Sequence, residues 1–201
     1  MLASFEHRFV FLCNPKTGTT ALEHALDPHC EVRVGKTPNW KHLNYFAVKA
    51  LFGETFDNAG CDYVTVVRDP LDTLHSWYRY RQRRALRQPG HPNRARFTGD
   101  ISFEAFVGEW IAQSSERARV GISVNFCISP ADEVAPALYW RYEDLDNLKA
   151  WQEDRIGAEV TIPFKNRSPE PPQSFDRDAL LALPEIQNVY DAFRRIPTVT
   201  C

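Results

Sequence analysis

The chain reads as an α/β protein: a three-layer arrangement with a central, mostly parallel sheet flanked by helices. Three observations carry that expectation. Short apolar runs rich in β-branched and aromatic residues alternate with stretches of helical periodicity. The joints between them are marked by Gly, Pro, Asn and Asp. The 201 residues, 43% hydrophobic and 25% charged, suit one globular domain over residues 1–201, with no internal repeat and no linker.

Arg8 to Cys13 is an apolar run of strand length; Asn14, Pro15 and Gly18 mark a turn, and Ala21, Leu22, Ala25 and Leu26 recur with helical spacing. Glu31 to Val34 reads as a short strand. Trp40 to Phe52 reads as a helix capped by Asn39 and ended by Gly53, with Trp40, Leu43, Ala47, Ala50 and Leu51 as its stripe. Cys61 to Val67 is a second buried strand. Asp69 caps the helix that follows, Pro70 takes its first position, and the helix is expected to run to about Ala85. Residues 86–100 carry no periodicity and read as a mobile surface loop. Ser102 caps a helix to Ser114, Ala137 to Tyr142 is a third strand, and Glu143 to Gln152 a further helix opened by acidic residues. Pro163 to Ser174 is a proline-rich loop, and two short helices, Arg177 to Leu183 and Pro184 to Ile196, follow.

A formal charge of −2 predicts no general affinity for polyanions, so basic function must be local. The five cysteines, Cys13, Cys30, Cys61, Cys127 and Cys201, are widely spaced and odd in number; they suggest neither a disulfide framework nor a zinc site. A cytoplasmic location follows, since no apolar run approaches the roughly 20 residues of a membrane span and the N-terminus lacks a signal-peptide pattern. Nucleic acid is disfavoured as a partner for want of interleaved aromatics and a recognition-helix pattern.

The turn from Pro15 to Thr20, PKTGTT, aims backbone N–H groups, a lysine and hydroxyls at one spot at the start of a helix, which makes an anion site. It departs from the nucleotide-hydrolase pattern GxxxxGK[ST]: Lys16 precedes Gly18 and there is no second glycine. No strand ends in an Asp placed to hold Mg²⁺, which disfavours a nucleotide kinase. Taken with VVRDPLDTLHSWY (66–78) and RYEDL (141–145), PKTGTT resembles the PAPS-dependent sulfotransferases, PAPS being 3′-phosphoadenosine-5′-phosphosulfate. The resemblance covers about Phe9 to Ser168. It implies a P-loop-like nucleotide-binding core in which Lys16, Thr17, Gly18, Thr19 and Thr20 cradle the 5′-phosphosulfate. An Arg with a Ser eight positions later, here Arg68 and Ser76, would grip the 3′-phosphate, leaving 3′,5′-ADP as product and requiring no metal. The C-terminal stretch PFKNRSPEPP resembles the segment that closes over the cofactor, which points to Asn166, Arg167 and Ser168 as further contacts.

Sulfuryl transfer spreads charge over peripheral oxygens, so positioning and electrostatic stabilisation carry most of the catalysis. Lys16 supplies a point charge for sulfate and leaving phosphate, and an Arg such as Arg68 grips phosphate bidentately. In WKHLNYF (40–46), KHL resembles the Lys-His pair of the carbohydrate-type and bacterial members, with His42 as general base; a place in the first turn of a helix would keep its imidazole neutral. Lys41 reads as solvated, His75 as a packing residue, and Tyr142, Glu143 and Asp144 as structural. Ala21 stands where the cytosolic small-molecule branch has Trp, and no late RKG motif is visible, so the adenine-stacking residue is not identified.

The acceptor is expected to be a hydroxyl compound, a carbohydrate or other small metabolite. Arg79, Arg81, Arg83, Arg84, Arg87, Arg94 and Arg96 make one basic region where an acidic or glycan acceptor could dock, although such runs are usually a solvated face. The alternatives are an inactive domain that binds PAPS or a sulfated glycan and, less favoured, a nucleotide kinase.

Overall fold

Strand β1 (Leu2–Ser4) turns through residues 5–8 into β2 (Phe9–Leu12) and pairs with it antiparallel, Ser4 opposite Phe9. Arg8 takes a left-handed backbone (φ 53) in this tight connection, and the Ser4 hydroxyl accepts from the His7 amide at 3.2 Å. A hairpin this short can only join antiparallel strands. The computed structural model describes residues 1–163 and 175–199, and builds them into a mixed α/β structure on an open five-stranded sheet.

From β2 the chain enters helix α1 (Thr19–Leu26), a two-residue strand β3 (Val32–Arg33), a single-turn helix α2 (Pro38–Lys41) and the longer α3 (Tyr45–Asn58). Strand β4 (Asp62–Val67) leads directly into α4 (Pro70–Arg81), then the short α5 (Arg84–Arg87) and α6 (Phe103–Ala112). Strand β5 (Leu138–Arg141) feeds α7 (Leu145–Ile156), and α8 (Arg177–Leu181) and α9 (Pro184–Arg194) follow. The sheet order is β3-β1-β2-β4-β5. The β2–β4 and β4–β5 pairings are parallel, whereas β1 runs antiparallel to both β2 and β3. The expected parallel run thus holds for the three strands that carry the motifs, and the other edge departs from it because β1 is joined to β2 by a hairpin.

Alternation along the strands divides the core. Val10, Leu12, Tyr63 and Val67 pack with Val48 and Phe56 of α3, Leu71, Leu74 and Tyr78 of α4, and Phe106 and Ile186. On the other face Phe9, Phe11, Val64, Val66 and Trp140 meet Leu22 and Leu26 of α1 and Leu148 of α7. Each large side chain so buried contributes about 1.5–3 kcal/mol.

Three expectations need correction. The helix expected over Trp40 to Phe52 is two elements: Asn44, not Asn39, caps α3, accepting from the Ala47 amide at 2.9 Å. Gly53 lies inside that helix, and Trp40 and Leu51, expected on the buried stripe, are 48% and 53% exposed. Helix α4 stops at Arg81 rather than Ala85. Residues 86–100, expected to be mobile, contain part of α5 and a 3₁₀ turn at Arg94–Arg96, and are pinned by the buried Thr98, whose hydroxyl donates to the Tyr78 carbonyl at 2.7 Å. Asn166, Arg167 and Ser168 lie outside the described residues.

The last two helices dock on the start of α4. Asp69 caps that helix through the Asp72 amide at 3.0 Å and also accepts from the Tyr190 hydroxyl at 2.8 Å. Arg177 bridges Asp69 and Asp72 at 2.7 and 2.9 Å. No helix among the described residues is long and apolar enough to cross a membrane.

Candidate active site

The parallel strands β2, β4 and β5 end on one side of the sheet, and in such sheets ligands gather at the carboxyl ends. There β2 gives way to Asn14–Gly18, β4 to Arg68 and β5 to Tyr142. Asn14 is fully buried; its amide donates to the carbonyls of Val66 and Ser123 at 2.9 and 3.1 Å, tying the loop to β4. The Thr17 hydroxyl turns inward and donates to the Asn14 carbonyl at 2.8 Å, and the residue is fully buried. Lys16 (φ 67) and Gly18 (φ 73) alternate in the left-handed region around it, a curvature that turns successive amides toward one centre. The amides of Lys16 to Thr20 make no hydrogen bond of ordinary geometry among the described residues. Gly18 is also required for space, since a Cβ there would come 3.2 Å from Tyr142 Cε2.

Lys16 Nζ lies 5.0 Å from the Trp77 ring centroid and 4.2 Å from that of Tyr80, and it forms no ion pair with a carboxylate among the described residues. Arg81 lies against the same Trp77 and Arg83 against the same Tyr80. Burial, then the charges of Arg83, Arg68 and Arg81, bring the Lys16 ammonium down to about 8. Arg68 Nη1 donates to the Lys16 carbonyl at 3.1 Å, its guanidinium lies over the Tyr142 ring at 4.3 Å, and its buried Nε has no partner among the described residues. The Arg68 backbone is held from both sides by the buried Ser123, whose hydroxyl donates to the Arg68 carbonyl at 2.6 Å and accepts from its amide at 3.1 Å. Ser76 is half-buried on α4 and forms no hydrogen bond to Arg68 among the described residues.

His42 is not in the first turn of a helix. It follows α2 as its C-terminal cap, where a helix dipole would favour the cation instead. Its neutrality has another origin, because burial, the leading cause, lowers its pKa. Its Nδ1 lies 2.6 Å from the Cys13 carbonyl, which can only accept, so Nδ1 carries the proton and the neutral ring has its lone pair on Nε2. Lys41, expected in solvent, instead pairs with the buried Glu23 at 2.5 Å.

The structure therefore brings Lys16 and Arg68 into contact and fixes His42 on the main chain of Cys13, at the entrance to the Lys16 loop. The positioning roles of Ser123, Glu23 and the Trp77–Tyr80 pair were not anticipated. Only the aromatic pair left a trace in sequence, in the i, i+3, i+4 spacing of Thr73, Ser76, Trp77 and Tyr80. Loop amides without a hydrogen bond of ordinary geometry, a lysine with no carboxylate and an Arg68 Nε with no partner, all among the described residues, fit a phosphate- or sulfate-bearing ligand. No family model, curated protein or solved structure matches the chain.

Proposed function

We propose that the chain is a PAPS-dependent sulfotransferase acting on an acceptor hydroxyl, with β2, β4 and β5 as a P-loop-like nucleotide-binding core. The reading is carried by one observation: a neutral histidine held on Cys13, three residues before a lysine that lies among arginines with no carboxylate partner among the described residues. His42 Nε2 accepts the acceptor proton. The acceptor oxygen then bonds to sulfur as the bond from sulfur to the 5′-phosphate oxygen breaks, and Lys16 with the amides of Thr17 to Thr20 stabilises the charge that develops on that oxygen. Arg68 with Ser76 holds the 3′-phosphate, and Asn166, Arg167 and Ser168 belong to the segment that would cover the nucleotide. Unpaired Cys13, Cys30, Cys61 and Cys127 support a reducing, cytoplasmic setting. The arginines beyond α4 favour an acidic or glycan acceptor.

The first test is thermal denaturation with 3′,5′-ADP, which is expected to raise the melting temperature by binding the folded state selectively. A shift with ATP and Mg²⁺ but none with 3′,5′-ADP sinks the proposal in favour of a kinase. Transfer of radiolabelled sulfate to pooled glycans, phenols and lipids then separates an enzyme from a domain that only binds.

A further inference from the structure

Glu23 sits on the inward face of α1 with the buried Thr19, Leu22 and Leu26, so the helix carries a carboxylate into the interior, where it is 6% exposed. Its Oε2 meets Lys41 Nζ at 2.5 Å, and its Oε1 accepts from the Cys13 thiol at 3.3 Å. That thiol is pushed up to about 12, chiefly by burial, so it stays a donor. The carbonyl of the same Cys13 receives His42 Nδ1 at 2.6 Å. Lys41 and His42 are neighbours in the chain, so the contacts close a ring. Cys13 grips His42 through its main chain and, through its side chain and Glu23, grips Lys41. The Met1 ammonium adds a tie by donating to the Lys41 carbonyl at 3.0 Å.

A buried ion pair is a poor device for stability, because desolvation offsets most of the attraction, but its fixed length and direction suit it to setting a register. We infer that Glu23 is a positioning residue: its pair with Lys41 sets the turn over residues 38–42 so that His42 keeps Nδ1–H on the Cys13 carbonyl and presents Nε2 as the acceptor. The inference rests on His42 being the base, and it concerns how that base is oriented rather than what it does. Glu23 touches neither nucleotide nor acceptor in this scheme. Its removal should change turnover without changing affinity for the product.

The test is nitrogen-15 NMR of the His42 ring at pH 8, assigned by its absence in His42→Ala, combined with kinetics. The wild-type ring is expected as the pure Nδ1–H tautomer. In Glu23→Gln and in Lys41→Gln the two ring nitrogens should move toward each other as tautomers mix. The kcat should fall about 10- to 100-fold, the scale set by misplacing a reacting group, while 3′,5′-ADP affinity stays within about twofold of wild type. The double variant should be no worse than the poorer single one, because both remove the same contact. If Glu23→Gln fails to fold, Lys41→Gln tests the same ring from its more exposed end. An unchanged tautomer in a folded variant, or equal losses of kcat and 3′,5′-ADP affinity, overturns the inference. If the tautomer responds as expected but no variant and no wild-type protein transfers sulfate, the clamp stands and the sulfotransferase reading fails.

Discussion

Lys16 and Lys41 are both largely withdrawn from water beside one loop, and the fold treats them in opposite ways. Lys41 is neutralised by a buried carboxylate at 2.5 Å. Among the described residues Lys16 Nζ lies against the rings of Trp77 and Tyr80, with Arg68, Arg81 and Arg83 close enough to repel it. Aromatic rings attract a cation but cannot cancel it. A cation without a counterion in a crowd of cations leaves positive potential at that point, and this is where an anionic ligand gains most. Proximity to the loop does not distinguish the two lysines; the presence or absence of a carboxylate partner among the described residues does.

Replacing the two lysines should break the contrast most sharply. Lys16→Met is expected to lower sulfate transfer by about 10³-fold, the scale for removing one preorganised group that stabilises developing charge, with no loss in thermal stability. Lys41→Met should do the reverse for stability and lower it by about 3 kcal/mol in denaturant titration, as it strands Glu23. That value is at the low end for a broken buried pair because the Lys41 side chain keeps 23% exposure. Equal destabilisation by the two substitutions would erase the distinction. Ser123→Ala removes both hydrogen bonds that hold the Arg68 backbone and should cost about 1–3 kcal/mol. It should also weaken 3′,5′-ADP binding, whereas calorimetry showing unchanged affinity would detach Arg68 from the site. Tyr80→Leu takes away the nearer ring under Lys16, a contact worth about 0.5–2 kcal/mol to the cation, and because leucine keeps the apolar cover without that attraction the ammonium should titrate lower still.

The smallest effect is the pH response. Anion binding needs the charged form of Lys16, and that form is lost as pH rises through about 8. Affinity for 3′,5′-ADP should therefore fall about fourfold between roughly pH 7 and 8.5. The same measurement on Lys16→Met should show a flatter profile.

The sequence was most legible where a run had length and a clear period. The strands ending at Leu12, Val67 and Arg141 and the Asp69 and Ser102 caps could all be read from residue order, whereas the direct contact of Arg68 with the Lys16 carbonyl could not. Strand β1 could not, because three buried residues, Leu2–Ser4, are too few to display alternation. It is the one strand of the sheet that runs against the other four. The break between α2 and α3 was hidden by two asparagines, Asn39 and Asn44, that both precede apolar residues; the structure uses the second, and His42 consequently leaves the helix. Glu23 was invisible because the cation that makes its burial tolerable comes from another segment of the chain. Ser123 looked like any loop serine, since its two partners belong to a strand end 55 positions away.

The burial of Lys16 beside three arginines also has a purely chemical outcome. With its ammonium near 8, about a fifth of this side chain is a free amine at roughly pH 7.4, against about a thousandth for an ordinary lysine. Lys16 should therefore react with acylating reagents well ahead of the surface lysines, and a bound nucleotide would shield it. A limited labelling experiment read by peptide mass spectrometry turns that residue into its own occupancy gauge.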